Sequence, residues 1–525
     1  MRQSRYLQVR LRIERDKLVD WAVLANLSED ERAMSSGLRL NKQKVNGSLQ
    51  DVRLVLLELV KLSGSYEVEL DRSGIDSDYG SADEGSEAAS IRSNLTLQRK
   101  AMSFVKKTRA FPRRLRWASF DRVEFELLLA KLSALNENMV YFFDRRQQDN
   151  HLQMQQDSFT SILQASDKFE QLVDLMASLK ATTKYKIMPA HEQRLLRLTR
   201  FKAFNIAMEG ADDASDEALI KSHLGDTHRP PRPIRLDSTK LLIMGEDNLE
   251  GSPSGAWGIY EDIPVWVEWR YFLRDEQKPD GFRVPDCLGY LYEPEERRFG
   301  FAFRGEGAYL PPRLSDMISS RRQKPSLTSR LQMARAVATS IWYLHATSWT
   351  HKGLRSENIM FPFSTSAGPY LAGFDYARPA NSNEEASERP ATHHDLYRHP
   401  ATQFNVPRDG PQGFTKIHDI YSLGVVLYEI GMWKPVDVIL GMNAAQGIRV
   451  EDVRDAQTRL LSQEGLMNLA ADVGDVYMAA VTSCLSGDFG FDGFDGIDDR
   501  QTNYDARLQL EFGERVIRKL ESIKI

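Results

Sequence analysis

Apolar positions in the first third of the chain recur at helical spacing. Between Phe120 and Phe143, Leu128, Leu132, Leu135, Met139 and Phe142 step along one helix face. Phe159, Ile162, Phe169, Leu172 and Leu175 continue the stepping and predict a second helix. Leu54 to Leu62 is a dense apolar patch that fits a buried helix turn or a strand, which periodicity alone does not separate. Farther on the period changes. Val265-Trp266-Val267-Glu268-Trp269-Arg270 alternates as a strand does, straight after Pro264. Leu331, Ala334, Ala338, Ile341 and Leu344 then return to helical spacing on a narrow face.

The fold predicted is two-domain: an all-α helical bundle over 1–181, a linker over 182–236 and an α+β domain over 237–525. The linker includes a helix over Lys184–Met208 and ends in Arg229-Pro230-Pro231-Arg232-Pro233, which continues neither helix nor central strand. An acidic insert near 71–95, with Asp76, Asp78, Asp83, Glu84 and Glu87, has too little apolar surface to fold and is expected to be disordered. A basic stretch over 99–117 follows, with Phe104, Phe111 and Trp117 interleaved. It reads first as a solvated helix face balanced by the acidic insert, and second as a site for a membrane surface with anionic lipid heads.

Bulk numbers add little to this division. The 525 residues are 42% hydrophobic and 27% charged, an ordinary globular balance with room for two cores. A net charge of -5 gives no general drive toward nucleic acid or anionic membrane; no nucleic-acid partner is expected, and protein partners are. Two cysteines, Cys287 and Cys484, form no disulfide framework and no metal spacing, and both are expected to be buried thiols. The amino terminus carries charges where a signal peptide needs an apolar run, which predicts a cytoplasmic protein, at most peripheral to a membrane.

The chemistry-bearing segment is Trp349 to Arg378. Thr350-His351-Lys352-Gly353-Leu354-Arg355-Ser356-Glu357-Asn358-Ile359 resembles the catalytic loop of protein kinases, with Gly353 where the catalytic Asp belongs. Leu371-Ala372-Gly373-Phe374-Asp375-Tyr376-Ala377 resembles the segment around the metal-binding D-F-G motif. Gly373 takes the place of the metal-binding Asp, and the carboxylate has moved to Asp375. Tyr397-Arg398-His399-Pro400 stands near the end of the activation segment. Asp419 to Ile430 resembles the central helix whose leading Asp braces the catalytic loop through backbone N–H groups. The strand position of the phosphate-holding lysine falls on Glu268 or Arg270, of which Arg270 is able to contact phosphate. Gly245, Gly251, Gly255 and Gly258 lack the spacing of a phosphate cradle and read as turn residues.

Taken together, the chain resembles filamentous-fungal proteins in which a HeLo (prion-inhibition and propagation) helical domain precedes a degenerate kinase-like domain. The amino-terminal part of that likeness rests on Trp117 and the Phe125 to Leu135 helix. It implies a bilobal α+β second domain and a role in non-self recognition or regulated cell death. Family members usually open with an apolar Gly/Ala-rich segment, whereas this chain opens with an Arg-rich polar helix.

Phosphoryl transfer depends on positioning and charge neutralisation, so a chain without the two carboxylates keeps the frame and loses the chemistry. His351 and Asp419 are therefore expected to be structural. Asn358 is a loop-bracing amide or a residual metal ligand. Arg270, Asn358 and Asp375 are the candidate nucleotide-binding residues, with ATP the candidate cofactor. The leading function is a pseudokinase used for docking or switching, coupled to a helical interaction domain. The alternative is a divergent Ser/Thr kinase that recruits Asp375 for Mg²⁺, and a third reading keeps nucleotide binding without transfer.

Overall fold

The computed structural model describes residues 2–25, 38, 41–62, 122–166, 168–182, 190–209, 236–247, 255–268, 283, 287–293, 298–304, 311–320, 324–361, 368–374, 377–379, 392–403, 414–442, 448–490 and 499–524. The acidic insert, the 99–117 stretch, Arg229–Pro233, Gly251, Arg270 and Asp375 lie outside them. By internal contacts the chain divides into Met1–Ile162 with Ser166–Leu196, and Leu163–Ala165 with Arg197–Ile525.

Among the described residues, the helices ahead of the first strand are α1 (Arg2–Leu24), α2 (Lys42–Leu62), α3 (Arg122–Val140), α4 (Arg145–Gln164), α5 (Phe169–Thr182) and α6 (Ala190–Glu209). The apolar patch at Leu54 to Leu62 is thus the end of a helix, and Val52, Leu56 and Leu59 at helical spacing turn into the core. Trp21 of α1 stacks on Phe143 at 5.5 Å, and its indole N–H donates to the Met139 carbonyl at 2.8 Å. The segment expected to run as one helix from Phe159 to Leu175 is two. The Ser166 hydroxyl turns back to the Ile162 carbonyl at 2.8 Å, and the Lys168 amide donates to the Gln171 side chain at 3.2 Å, starting α5 anew.

The Arg-rich opening helix buries one face, and that face includes charged residues. Leu7, Leu11, Leu18 and Trp21 of α1 are buried, and so are Arg10, Glu14, Lys17 and Asp20. Lys17 Nζ lies 3.4 Å from Glu14 and 3.5 Å from Glu192, while Asn136 donates to Glu14 at 2.9 Å. Burial works against the ammonium, but Glu14 and Glu192 outweigh it and raise the Lys17 pKa.

The second unit opens with strands β1 (Leu241–Asp247), β2 (Gly255–Tyr260), β3 (Ile263–Glu268), β4 (Cys287–Glu293) and β5 (Arg298–Arg304). They form one antiparallel sheet in the order β1-β2-β3-β5-β4. Val265 and Val267, two residues apart, pack with Leu236 and Ala302 on one face, while Trp266 stacks on Phe303 at 5.5 Å.

A mainly helical lobe follows. Its elements are α7 (Leu314–Ser319), α8 (Leu327–Ala346), β6 (Trp349–Thr350), β7 (Ile359–Met360), β8 (Tyr370–Leu371), β9 (Arg378–Pro379) and α9 (Lys416–Met432). Then come α10 (Val436–Ile439), α11 (Val450–Arg454), α12 (Ala456–Leu460), α13 (Gln463–Val473), α14 (Asp475–Ser486) and α15 (Asp499–Phe512). The helix α9 is buried on nearly every side, as its run of Ile, Val, Leu and Tyr requires. Its glycines mark close helix contacts: a Cβ at Gly424 would meet Cys484 of α14 at 2.8 Å, and one at Gly431 would meet Leu469 of α13 at 2.7 Å. Cys484 is a free buried thiol, and burial raises its pKa.

Candidate active site

The segment between β6 and β7 crosses the start of α9, and Asp419 fixes it there. The carboxylate accepts from the His351 amide at 2.6 Å and the Lys352 amide at 2.9 Å, while His345 Nε2 lies at 3.2 Å. Burial opposes ionisation, but the hydrogen bond from His345 and the His351 amide outweigh it and hold the Asp419 carboxyl below the usual range. These donors let a fully buried carboxylate stay charged. Lys352 takes a left-handed backbone with φ 60°, which turns the chain after the brace.

His351 is fully buried and packs its ring on Phe374, with centroids 4.6 Å apart. Its Nε2 donates to the Ala372 carbonyl at 3.0 Å, and its Nδ1 accepts from the Gly353 amide at 3.3 Å. Those partners select one neutral tautomer, and burial pushes the imidazole pKa down to about 4. The ring ties two loops together, with both nitrogens committed to backbone.

Gly353, Asn358 and Gly373 meet at one corner. Asn358 Nδ2 donates to the Gly353 carbonyl at 2.6 Å, and the Ala372 amide donates to the Asn358 carbonyl at 2.9 Å. Gly373 has φ +72°, and a Cβ built on it would lie 2.3 Å from Asn358 Cγ. No side chain fits at residue 373 while Asn358 stays where it is. The amide of Asn358 fills the space that a carboxylate at 373 would enter.

Two further connections hold this loop from behind. The Ser356 hydroxyl lies 2.8 Å from the Tyr397 hydroxyl, which donates to Glu429 of α9 at 2.7 Å. Glu429 also accepts from the Val436 amide at 2.8 Å. Burial raises its carboxyl pKa to about 8, against the opposing hydrogen bonds from Tyr397 and Val436. Beside it, Glu357 takes Arg355 Nε at 2.6 Å and His394 Nε2 at 3.1 Å. Burial works to raise the Glu357 carboxyl, but His394 and Arg355 prevail and bring it to about 2.

Residues 1–175 match the HeLo family, described as prion-inhibition and propagation, and residues 307–443 match the protein tyrosine and serine/threonine kinases. The chain carries a HeLo domain followed by a protein-kinase domain. No curated protein matches it. The kinase match spans the braced loop, the Gly373 corner and α9, and the five-stranded sheet with the helical lobe behind it is the bilobal kinase-like architecture.

Of the residues singled out from sequence, His351, Gly353, Asn358, Gly373, Phe374 and Asp419 come together in this kinase domain. Arg270 and Asp375 lie outside the described residues, and Glu268 is described only as the last position of β3. Sequence reasoning passed over Glu429, Glu357, His393 and His394. A glutamate inside the apolar run Val425 to Ile430 was a signal, because a buried acid needs donors. The paired His393-His394 in a chain of 10 histidines was another.

Proposed function

We propose that the kinase domain is a pseudokinase, acting as a docking or switching module in a signalling or scaffold protein, with the HeLo domain as its helical interaction partner module. The observation that carries this reading is the packed corner at Gly353, Asn358 and Gly373. A divalent ion on nucleotide phosphates needs hard oxygen ligands, and active kinases supply a carboxylate and an asparagine oxygen. Here one position is glycine with no room for a side chain, and the asparagine is turned to the Gly353 carbonyl. The base position is glycine as well, so general-base assistance worth roughly 10²–10⁴-fold has no proton acceptor at that site. Such a donor set does not suit Mg²⁺-nucleotide.

The HeLo match supports a place in non-self recognition or regulated cell death, and protein partners are the class that a braced, inert surface would serve. Among the described residues no helix is long and apolar enough to cross a membrane.

Thermal shift of the full chain with ATP, with and without Mg²⁺, tests the reading. The expected result is no stabilisation in either condition. Stabilisation that requires Mg²⁺, together with radiolabel transfer lost in Asp375→Ala, would establish an active kinase instead.

A further inference from the structure

The cluster at Glu357, His393 and His394 has a chemistry that the kinase frame does not call for. His393 Nδ1 lies 3.7 Å from Glu357 Oε1, and His394 Nε2 lies 3.1 Å from Glu357 Oε2. The three ligand atoms all fall within 4.8 Å of one another. Two consecutive histidines usually diverge, but here one presents Nδ1 and the other Nε2, so both reach the same point. Glu357 sits in the turn Ser356–Asn358 and the histidines in the turn Thr392–Tyr397, so the cluster joins two separate backbone segments.

We propose that Glu357, His393 and His394 bind one zinc-type divalent cation, which staples the 392–397 turn to the loop that carries Gly353 and Asn358. Two imidazoles and one carboxylate are a borderline donor set, suited to Zn²⁺ and unsuited to Mg²⁺ or Ca²⁺. Tetrahedral zinc with bonds of about 2.0–2.1 Å places its ligand atoms about 3.4 Å apart, so the cluster closes by small side-chain rotations. Arg355 does not block the site. It holds Glu357 Oε2 at 2.6 Å and leaves Oε1 on the side of His393. In that role Arg355 orients the carboxylate, as outer partners of metal ligands commonly do. Three protein ligands leave a fourth position open, and the 39% exposure of the His393 side chain opens the cluster to solvent. The site would exist whether or not the domain transfers phosphate, because it uses none of the residues at the Gly373 corner.

Calorimetric titration of the chelator-treated full chain with zinc chloride tests this, beside His393→Asn, His394→Asn and Glu357→Gln. The expected result is one saturable site per chain, weakened at least tenfold in each variant, with magnesium chloride giving no heat of binding. His393→Asn changes a part-exposed side chain and leaves the fold intact, so a zinc-dependent rise in melting temperature, lost in that variant, reads the site independently. Absence of a one-to-one site in the unmodified chain would overturn the proposal. So would zinc affinity that is unchanged in all three variants.

Discussion

Asp419 and Glu429 lie ten residues apart on the same helix, both fully buried, yet they solve burial in opposite ways. Asp419 gathers two amides and an imidazole and stays ionised below the usual range. Glu429 receives a tyrosine hydroxyl and one amide on a single oxygen, its other oxygen finds no partner, and its pKa rises to about 8. Burial is common to both. The neighbouring charge differs: His345 and His351 favour the Asp419 carboxylate, whereas Glu357 works against that of Glu429. Each end of α9 thereby holds a different part of the site: Asp419 fixes the front of the loop at His351, and Glu429 fixes its rear through Tyr397 and Ser356.

The severest way to break the comparison is Asp419→Ala. Removing the acceptor strands the His351 and Lys352 amides and His345 Nε2, a loss of about 3–5 kcal/mol. The melting transition of the kinase domain should fall, and hydrogen exchange at residues 349–361 should accelerate first. An unchanged exchange rate there would show that the loop does not depend on this brace.

The pH dependence sharpens it further. Glu429 keeps its proton in the folded domain up to about 8, whereas an unfolded glutamate loses it near 4.5. Stability from this group is complete below about 4.5 and declines as pH climbs toward 8, by up to about 1.4 kcal/mol per unit. Glu429→Gln should flatten that decline in denaturation curves taken between pH 5 and 8. Asp419 has the opposite sign: its contribution is present above the ordinary aspartate range and is lost as pH falls through its depressed folded pKa.

A smaller effect tests the corner that the braced loop encloses. Gly373→Ala meets Asn358 and a positive φ together, at about 2 kcal/mol. In an Asn358→Ala background the steric part should vanish and only the backbone part remain. A double-mutant cycle in urea denaturation measures the difference, and a coupling of zero would contradict the packing described.

The mildest change is Tyr397→Phe. It removes the donor to Glu429 and the partner of Ser356, about 1 kcal/mol, and should raise the Glu429 pKa further by removing a bond that favours the carboxylate. A shift of the pH-dependent decline to higher pH in this variant reads that change.

Much of the site was legible as an ordered string. His351, Asn358, Phe374 and Asp419 stand in kinase order, and Gly353 and Gly373 among them are visible without coordinates. The pairing of Glu429 with Tyr397 was not legible, because 32 residues separate them and nothing local marks the partner. The single helix expected from Phe159 to Leu175 is two helices for a related reason: helical stepping persists across a break that side-chain hydrogen bonds at Ser166 and Gln171 create.

The sequence alone determined where helical and strand periodicity lie and that glycine stands at 353 and 373, since periodicity and residue identity are properties of the chain itself. Tertiary structure decided what packs around those glycines and which distant groups meet. That Asn358 leaves no space for a side chain at 373, that Lys17 of the opening helix lies buried beside Glu192, and that Glu357 meets two histidines are all facts of proximity between distant segments. Donor counts, steric room and the pKa shifts they produce exist only once packing has set those distances.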